Sequence, residues 1–190
     1  LKKKRAVFLD RDGVINVEKS FIIKPEELQV FSYVPKAIKR LNDAGFFCIV
    51  VTNQSAIARG LLTERGLHEI HDYLRVELSK ERACLDAIYY CPHHPDKTLK
   101  NGNSQYLIEC DCRKPKSGLI DQACRDFEID LEKSFLIGDS ERDLIAAKNR
   151  GVFAIAVTSG LQAMNGYRDA DRICNNLKEA VEYILESMIF

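Results

Sequence analysis

The chain lacks a charge excess of either sign: 28 Lys and Arg face 28 Asp and Glu among 190 residues. Without a basic surplus, non-specific binding to nucleic acid or to an anionic membrane has no driving force. Long apolar runs are missing too. Phe46–Val51 and Val152–Val157 are six residues each, far below the roughly 18 that mark a membrane span. The opening Leu-Lys-Lys-Lys-Arg has the charge of a signal peptide's start, but only Ala6–Leu9 is apolar before Asp10. That is too short for such a peptide's core, and a start without Met reads as trimmed. The expected location is the cytoplasm. Internal repeats, low-complexity tracts and interdomain linkers are absent as well. At roughly 100–200 residues per domain, residues 1–190 are expected to form one domain. A chain of this length buries enough surface to need no disulfides.

Seven cysteines are present, at 48, 84, 91, 110, 112, 124 and 174. An odd number in a cytoplasmic chain argues against a disulfide framework. Cys48 lies in an apolar run and Cys124 on a helical apolar face, so both are expected as core thiols. Cys91, Cys110 and Cys112 differ, because they flank a polar stretch that also holds His93 and His94.

Short apolar runs alternate with helix-period segments. Strands are expected at Ala6–Leu9, Phe46–Val51, Ala87–Tyr90, Phe135–Ile137 and Val152–Val157. Helices are expected at Val34–Ala44, after Thr63, at Ser117–Phe127, at Glu141–Asn149 and after Asn176, the last carrying Ala180, Val181, Ile184, Leu185 and Met188. Fully apolar strands separated by helices imply a parallel sheet covered on both faces. Right-handed crossovers make it a doubly wound, Rossmann-like three-layer α/β sandwich. The long polar stretch of about 91–115 reads as a functional or separately stabilised insertion.

Ligands of such sheets bind beyond the carboxyl ends of the strands. There the sequence places Asp10-Arg11-Asp12-Gly13, Thr52-Asn53-Gln54-Ser55, Cys91 and Gly138-Asp139. Asp10 and Asp12, two residues apart, are expected on one side of an extended segment, where paired acids need a cation or a shared proton. With Asp139 they read as a Mg²⁺ site; an ordinary Asp-Gly turn is the competing reading. Thr52 through Ser55 can donate to phosphate oxygens or simply cap a turn. Arg59 can hold a second phosphate, and Lys114 can act as a point charge. Asp143 competes between a site role and a helix capping box with Ser140.

In order, Asp10-x-Asp12, Thr52, Lys114 and Gly138-Asp139-x-x-x-Asp143 resemble the four motifs of the haloacid dehalogenase superfamily of phosphatases, across essentially the whole chain. The resemblance implies Asp10 as nucleophile, Asp12 as general acid and base, and Thr52 and Lys114 as phosphoryl ligands. It implies Mg²⁺ on Asp10, Asp12 and Asp139, with Asp143 in support. Val14 stands where the family wording has Thr. With a phosphate dianion bound, the acids outweigh Mg²⁺ and Lys114, and Arg59 and Arg113 can supply the remaining positive charge.

Cys91-Pro-His93 and Cys110-Asp-Cys112 are pairs of soft ligands separated by residues 94–109. Three thiolates and one imidazole make a closed structural Zn²⁺ site; reduced thiols beside a surface histidine are the alternative. His93 ranks ahead of His94. Such a clip would hold Arg113 and Lys114, which follow Cys112 directly. Together with Asp10-Arg-Asp-Gly-Val-Ile-Asn and Val51-Thr-Asn-Gln-Ser, this cluster is similar to that of capless, zinc-containing bacterial phosphatases of the heptose bisphosphate group. The implied substrate is a small phosphorylated sugar used in lipopolysaccharide or surface-glycan supply, and a monomer is expected. Glu18, Lys19, Ser20, Phe21 and Arg113 are implied contacts to it. Histidinol-phosphate phosphatases share the motifs, but as a family trait have a shorter loop between the ligand pairs. A binding module that has lost catalysis is opposed by the presence of Asp10, Asp12, Lys114 and Asp139. Ala56 departs from the usual Gly of relatives. The segments after the first two strands are too short for a large cap.

Overall fold

The computed structural model describes residues 3–160 and 167–188. Six strands form one sheet: β1 (Ala6–Leu9), β2 (Phe47–Asn53), β3 (Ala87–Cys91), β4 (Phe135–Gly138), β5 (Phe153–Val157) and β6 (Arg172–Cys174). Their spatial order is β3-β2-β1-β4-β5-β6, with every neighbour parallel. The helices are α1 (Val34–Asp43), α2 (Glu64–Ser79), α3 (Gly118–Asp126), α4 (Glu141–Lys148) and α5 (Leu177–Glu186).

Alternation along the strands divides the core in two. Val7, Leu9, Cys48, Val50, Ile137 and Val157 point toward the face covered by α1, α2 and α5. Ala6, Phe8, Ile49, Val51, Leu136 and Ala154 point toward α3 and α4. Both faces of the central strands are therefore apolar, which is why these strands read as continuous hydrophobic runs rather than alternating ones. The three-layer arrangement is as the sequence implied.

Helix ends follow local chemistry. The Thr63 side chain accepts from Gly66 N at 3.1 Å to start α2, and Asn176 accepts from Glu179 N at 3.2 Å to start α5. Several details differ from expectation. β2 runs on through Thr52 and Asn53, β3 includes Cys91 and β4 includes Gly138, so these residues end their strands rather than follow them, because each still pairs with its neighbouring strand. Strand β6 is only three residues long, and its Arg172 and Ile173 are exposed, so it lacks a hydrophobic pattern. Met188 lies beyond the end of α5 and is exposed. Cys124 is half-buried on α3, at the margin of the core.

The sheet reverses its winding between β1 and β4, so the carboxyl ends of these strands, with that of β2 beside them, open onto one crevice. Neither flanking connection carries a separate domain. Residues 10–33 contain one 3-10 turn at Pro25–Glu27, and residues 54–63 contain only turns.

Candidate active site

Asp10 leaves β1 with its backbone still tied to the sheet, its N–H donating to Ile137 O at 3.0 Å. Its carboxylate meets Asp139 and Asp143 at the end of β4, with one oxygen from each of the three within 4.8 Å of the others. Lys114 enters from the far side. Its Nζ lies 3.0 Å from Asp10 Oδ1 and 2.5 Å from Asp143 Oδ1, and donates to Val51 O at 2.7 Å. Close approach is possible because two positions carry no side chain. A Cβ on Gly138 would fall 2.2 Å from Asp143 Cβ, and one on Gly13, where φ is +80°, would fall 2.2 Å from Asp139 Oδ2.

Like charges in a buried space disfavour ionisation. Burial, then Asp143, push Asp10 up to about 6, although Lys114 pulls the other way. Burial, then Asp10 and Asp143, push Asp139 up to about 8. Lys114 is itself buried, which opposes its charge, yet Asp10 and Asp143 outweigh burial and raise it. One lysine thus faces three carboxylates. That imbalance, with oxygen donors only, fits a hard divalent cation such as Mg²⁺.

Asp12 stands apart from this group. It was expected among the metal's carboxylates, on the same side as Asp10, but the chain has left the strand after Leu9 and turns here. Its carboxylate instead accepts from Arg11 Nη2 at 2.9 Å to both oxygens, from Asn16 Nδ2 at 2.9 Å and from Gln54 Nε2 at 2.9 Å. Burial works against its charge, but Arg11 and these donors overcome it and hold the carboxyl below its ordinary range. The third member of the acidic group is Asp143. Its Oδ2 accepts from Ser140 N and Oγ, the capping contacts, while its Oδ1 faces Lys114 Nζ.

A second cluster lies at the end of β3. Cys91 Sγ is 3.6 Å from Cys110 Sγ and 3.8 Å from His93 Nδ1; Cys112 Sγ is 3.3 Å from both Cys110 Sγ and His93 Nδ1. A tetrahedron of thiolates about 2.3 Å from a central Zn²⁺ has edges of about 3.8 Å. These separations therefore fit the ion. His94 is excluded from the cluster and lines the crevice. The loop is tied to the crevice beyond the thiols. Arg113 Nη1 donates to His93 O at 3.0 Å, while Asn53 and Lys114 exchange two side chain-to-backbone hydrogen bonds of 3.1 Å.

The crevice has a volume of about 320 Å³. Every residue expected to touch substrate borders it: Glu18 through Phe21, Thr52 through Ser55, Arg59, Arg113 and Lys114. Arg59 lies over the Phe21 ring at 5.4 Å, which links the two sides of the mouth. Glu18 is pushed up to about 7, by burial first and then by Asp12 and Asp10. Ala56 borders the crevice with its methyl buried. Sequence reading overlooked Arg142, which borders the crevice from the first turn of α4, and Arg11. Position alone was a signal for Arg142, three residues after Asp139. For Arg11 the signal was a cation between two acids at a strand end.

A parallel sheet with an acid at the end of β1, a lysine, and an acidic pair at the end of β4 defines a class. A model of the HAD-hydrolase-like family matches residues 111–180, and the chain belongs to this family of phosphatases. Its relatives include the D-glycero-β-D-manno-heptose-1,7-bisphosphate 7-phosphatase of Haemophilus ducreyi, 38% identical over 184 residues, covering 95% of this chain and 98% of that protein. The D-glycero-D-manno-heptose-1,7-bisphosphate 7-phosphatase of Thermosynechococcus vestitus is 38% identical over 188 residues and covers 94% of each chain. Among solved structures, D,D-heptose 1,7-bisphosphate phosphatase from B. bronchiseptica, complexed with magnesium and phosphate, superposes with a TM-score of 0.84. It is 34% identical and covers 96% of this chain and 99% of its own.

Proposed function

We propose that this phosphatase removes the 7-phosphate of D-glycero-D-manno-heptose 1,7-bisphosphate, in the supply of nucleotide-activated heptose for lipopolysaccharide or surface glycans. Residues 1–190 act as one catalytic unit, in which the cysteine loop is an insertion clipped by Zn²⁺ on Cys91, His93, Cys110 and Cys112. The observation that carries the reading is the juxtaposition of two subsites in one crevice. The Asp10–Lys114–Asp139–Asp143 group lies at its floor, and Glu18–Phe21, Arg59 and Arg113 stand at its mouth. A small sugar with a phosphate at each end spans such a space.

Asp10 attacks phosphorus through a carboxylate oxygen, forming an aspartyl-phosphate while the bond to the sugar oxygen breaks. Lys114 lies on Asp10 and is placed to stabilise the charge that spreads over the equatorial phosphoryl oxygens. Thr52 and the Asn53–Ser55 turn donate to the same oxygens. Asp12 enters as a carboxylate held by Arg11. The incoming phosphate dianion opposes that hold and favours proton uptake. Asp12 then protonates the leaving alkoxide, and afterwards takes a proton from the water that opens the aspartyl-phosphate. Asp10 and Asp139, with Asp143 beside them, would hold Mg²⁺, which would supply positive charge to offset that of the phosphoryl group.

The testing experiment is a Mg²⁺-dependent phosphate-release screen on both anomers of heptose 1,7-bisphosphate, histidinol phosphate and a 3′-phosphorylated oligonucleotide. The highest kcat/KM is expected on one heptose anomer. Preference for histidinol phosphate would move the protein to the sister group, and release from the oligonucleotide alone would remove the sugar assignment.

A further inference from the structure

Arg11 sits between the two site acids in sequence, and its guanidinium is 1% exposed. Its Nε and Nη2 are spent on Asp12, at 3.2 Å and 2.9 Å. Its Nη1 lies 3.3 Å from Nε2 of His71. His71 projects from the inward face of α2 among Leu67, Ile70 and Leu74, 5% exposed. It lies outside the crevice and touches no crevice acid through any hydrogen bond. Guanidinium has no acceptor and never loses its proton in proteins, so the contact forms only if His71 accepts. The imidazole therefore carries its proton on Nδ1. Burial, with Arg11 beside it, drives His71 down to about 3, and the ring is neutral at working pH.

We propose that His71 is a positioning residue for the reaction: its Nε2 lone pair fixes the Arg11 guanidinium, which in turn aims the Asp12 carboxylate at the leaving oxygen. This rests on the reading of Asp12 as general acid. Buried Arg11 offers more donors than Asp12 alone can satisfy in one orientation, and an unpartnered N–H costs free energy. Remove the acceptor at position 71, and the guanidinium has reason to turn toward water or another carbonyl, taking Asp12 with it. A neutral amide oxygen at the same distance restores the acceptor. In Gln the carbonyl oxygen falls near the place of Nε2, whereas in Asn it falls short, near that of Nδ1.

The test compares kcat/KM of the full-length, Mg²⁺-supplemented protein on a primary alkyl phosphate and on p-nitrophenyl phosphate. This parameter reports steps up to phosphoryl transfer, where p-nitrophenolate departs without a proton and an alkoxide does not. Asp12→Asn is the reference and is expected to lose far more on the alkyl ester. His71→Leu and His71→Asn should lose on the order of tenfold to a hundredfold on the alkyl ester, part of what general acid catalysis supplies. They should lose less than about threefold on the aryl ester, and His71→Gln should stay within about threefold of the parent on both. If Asp12→Asn discriminates between the esters but the His71 variants lose equally on both, or Gln is no better than Asn, the inference is overturned and the reading of Asp12 stands. If Asp12→Asn itself shows no discrimination, both fall. Should His71→Leu not fold, the Gln and Asn pair still decides.

Discussion

Asp10 and Asp139 work against the fold they serve. Both are held above the ordinary carboxylate range, to about 6 and about 8, so the folded protein binds protons more tightly there than the unfolded chain. At pH 8 without a divalent cation, the Asp10 charge is destabilising, and Asn mimics the protonated form. Asp10→Asn is therefore expected to raise the midpoint of thermal unfolding in chelated protein at pH 8. Phosphate release should fall by at least roughly three orders of magnitude. A paired melting curve and phosphate assay check both, and normal turnover would remove Asp10 as nucleophile. Gly138 is the second informative residue. Its missing side chain admits Asp143, the partner of both Lys114 and the α4 N-terminus. Gly138→Ala should destabilise by about 1–3 kcal/mol through overpacking, measured by urea unfolding, and should reduce kcat as Asp143 is displaced from Lys114. Among single residues the sequence was informative about identity but poor about direction. Asp10, Lys114 and Asp139 come together in the fold, whereas Asp12 faces Arg11, because the alternation of a strand does not extend into the turn that follows it.

The decisive element is the loop from Cys91 to Pro115, which contains no helix or strand beyond the end of β3. Its order comes from the four-ligand cluster, Arg113 to His93 O and the reciprocal clamp of Asn53 with Lys114, together with Asn103 N donating to Ala58 O, His94 N donating to Tyr106 O and the buried Leu107. Zinc bound here is expected at about one ion per chain by elemental analysis of protein purified without chelator. Loss of the ion is expected to loosen the segment that carries Lys114. Cys110→Ser should therefore cut kcat on the order of a hundredfold, the scale of a catalytic group misplaced by an ångström. Far-UV circular dichroism should stay near that of the parent, because the sheet and its helices lie outside the loop. The cluster was legible as two pairs of soft ligands. The clamp was not, since Asn53 and Lys114 are 61 residues apart, and nothing local in either segment signals the other.

At the scale of the whole molecule, net charge of zero conceals an acidic floor balanced by cations around it. The pH dependence follows from that floor. Raised carboxylates make the metal-free fold lose stability as pH climbs from about 4 through the folded values near 6 and 8. A divalent cation binds the ionised form and opposes the loss. The rise in unfolding temperature on adding Mg²⁺ should be small at pH 5 and largest at pH 8, measured by calorimetry in buffers of equal ionic strength. A shift independent of pH would argue that the cation does not sit on Asp10 and Asp139. No helix among the described residues is long and apolar enough to cross a membrane, and the crevice is bordered mainly by polar and charged side chains.

The layered architecture was written in the sequence, because hydrophobic periodicity is local: apolar strands between amphipathic helices have few ways to bury themselves. Residue types at the strand ends were equally visible, since a parallel sheet sends all those ends to one side. Strand β6 escaped notice because three edge residues, two exposed and one buried, carry no periodic signal. The pairing of carboxylates, the buried Arg11–His71 contact and the Asn53–Lys114 clamp were decided only by the tertiary structure. Each joins groups through distance and orientation across separate elements, and the energy of a charge depends on what the fold places beside it.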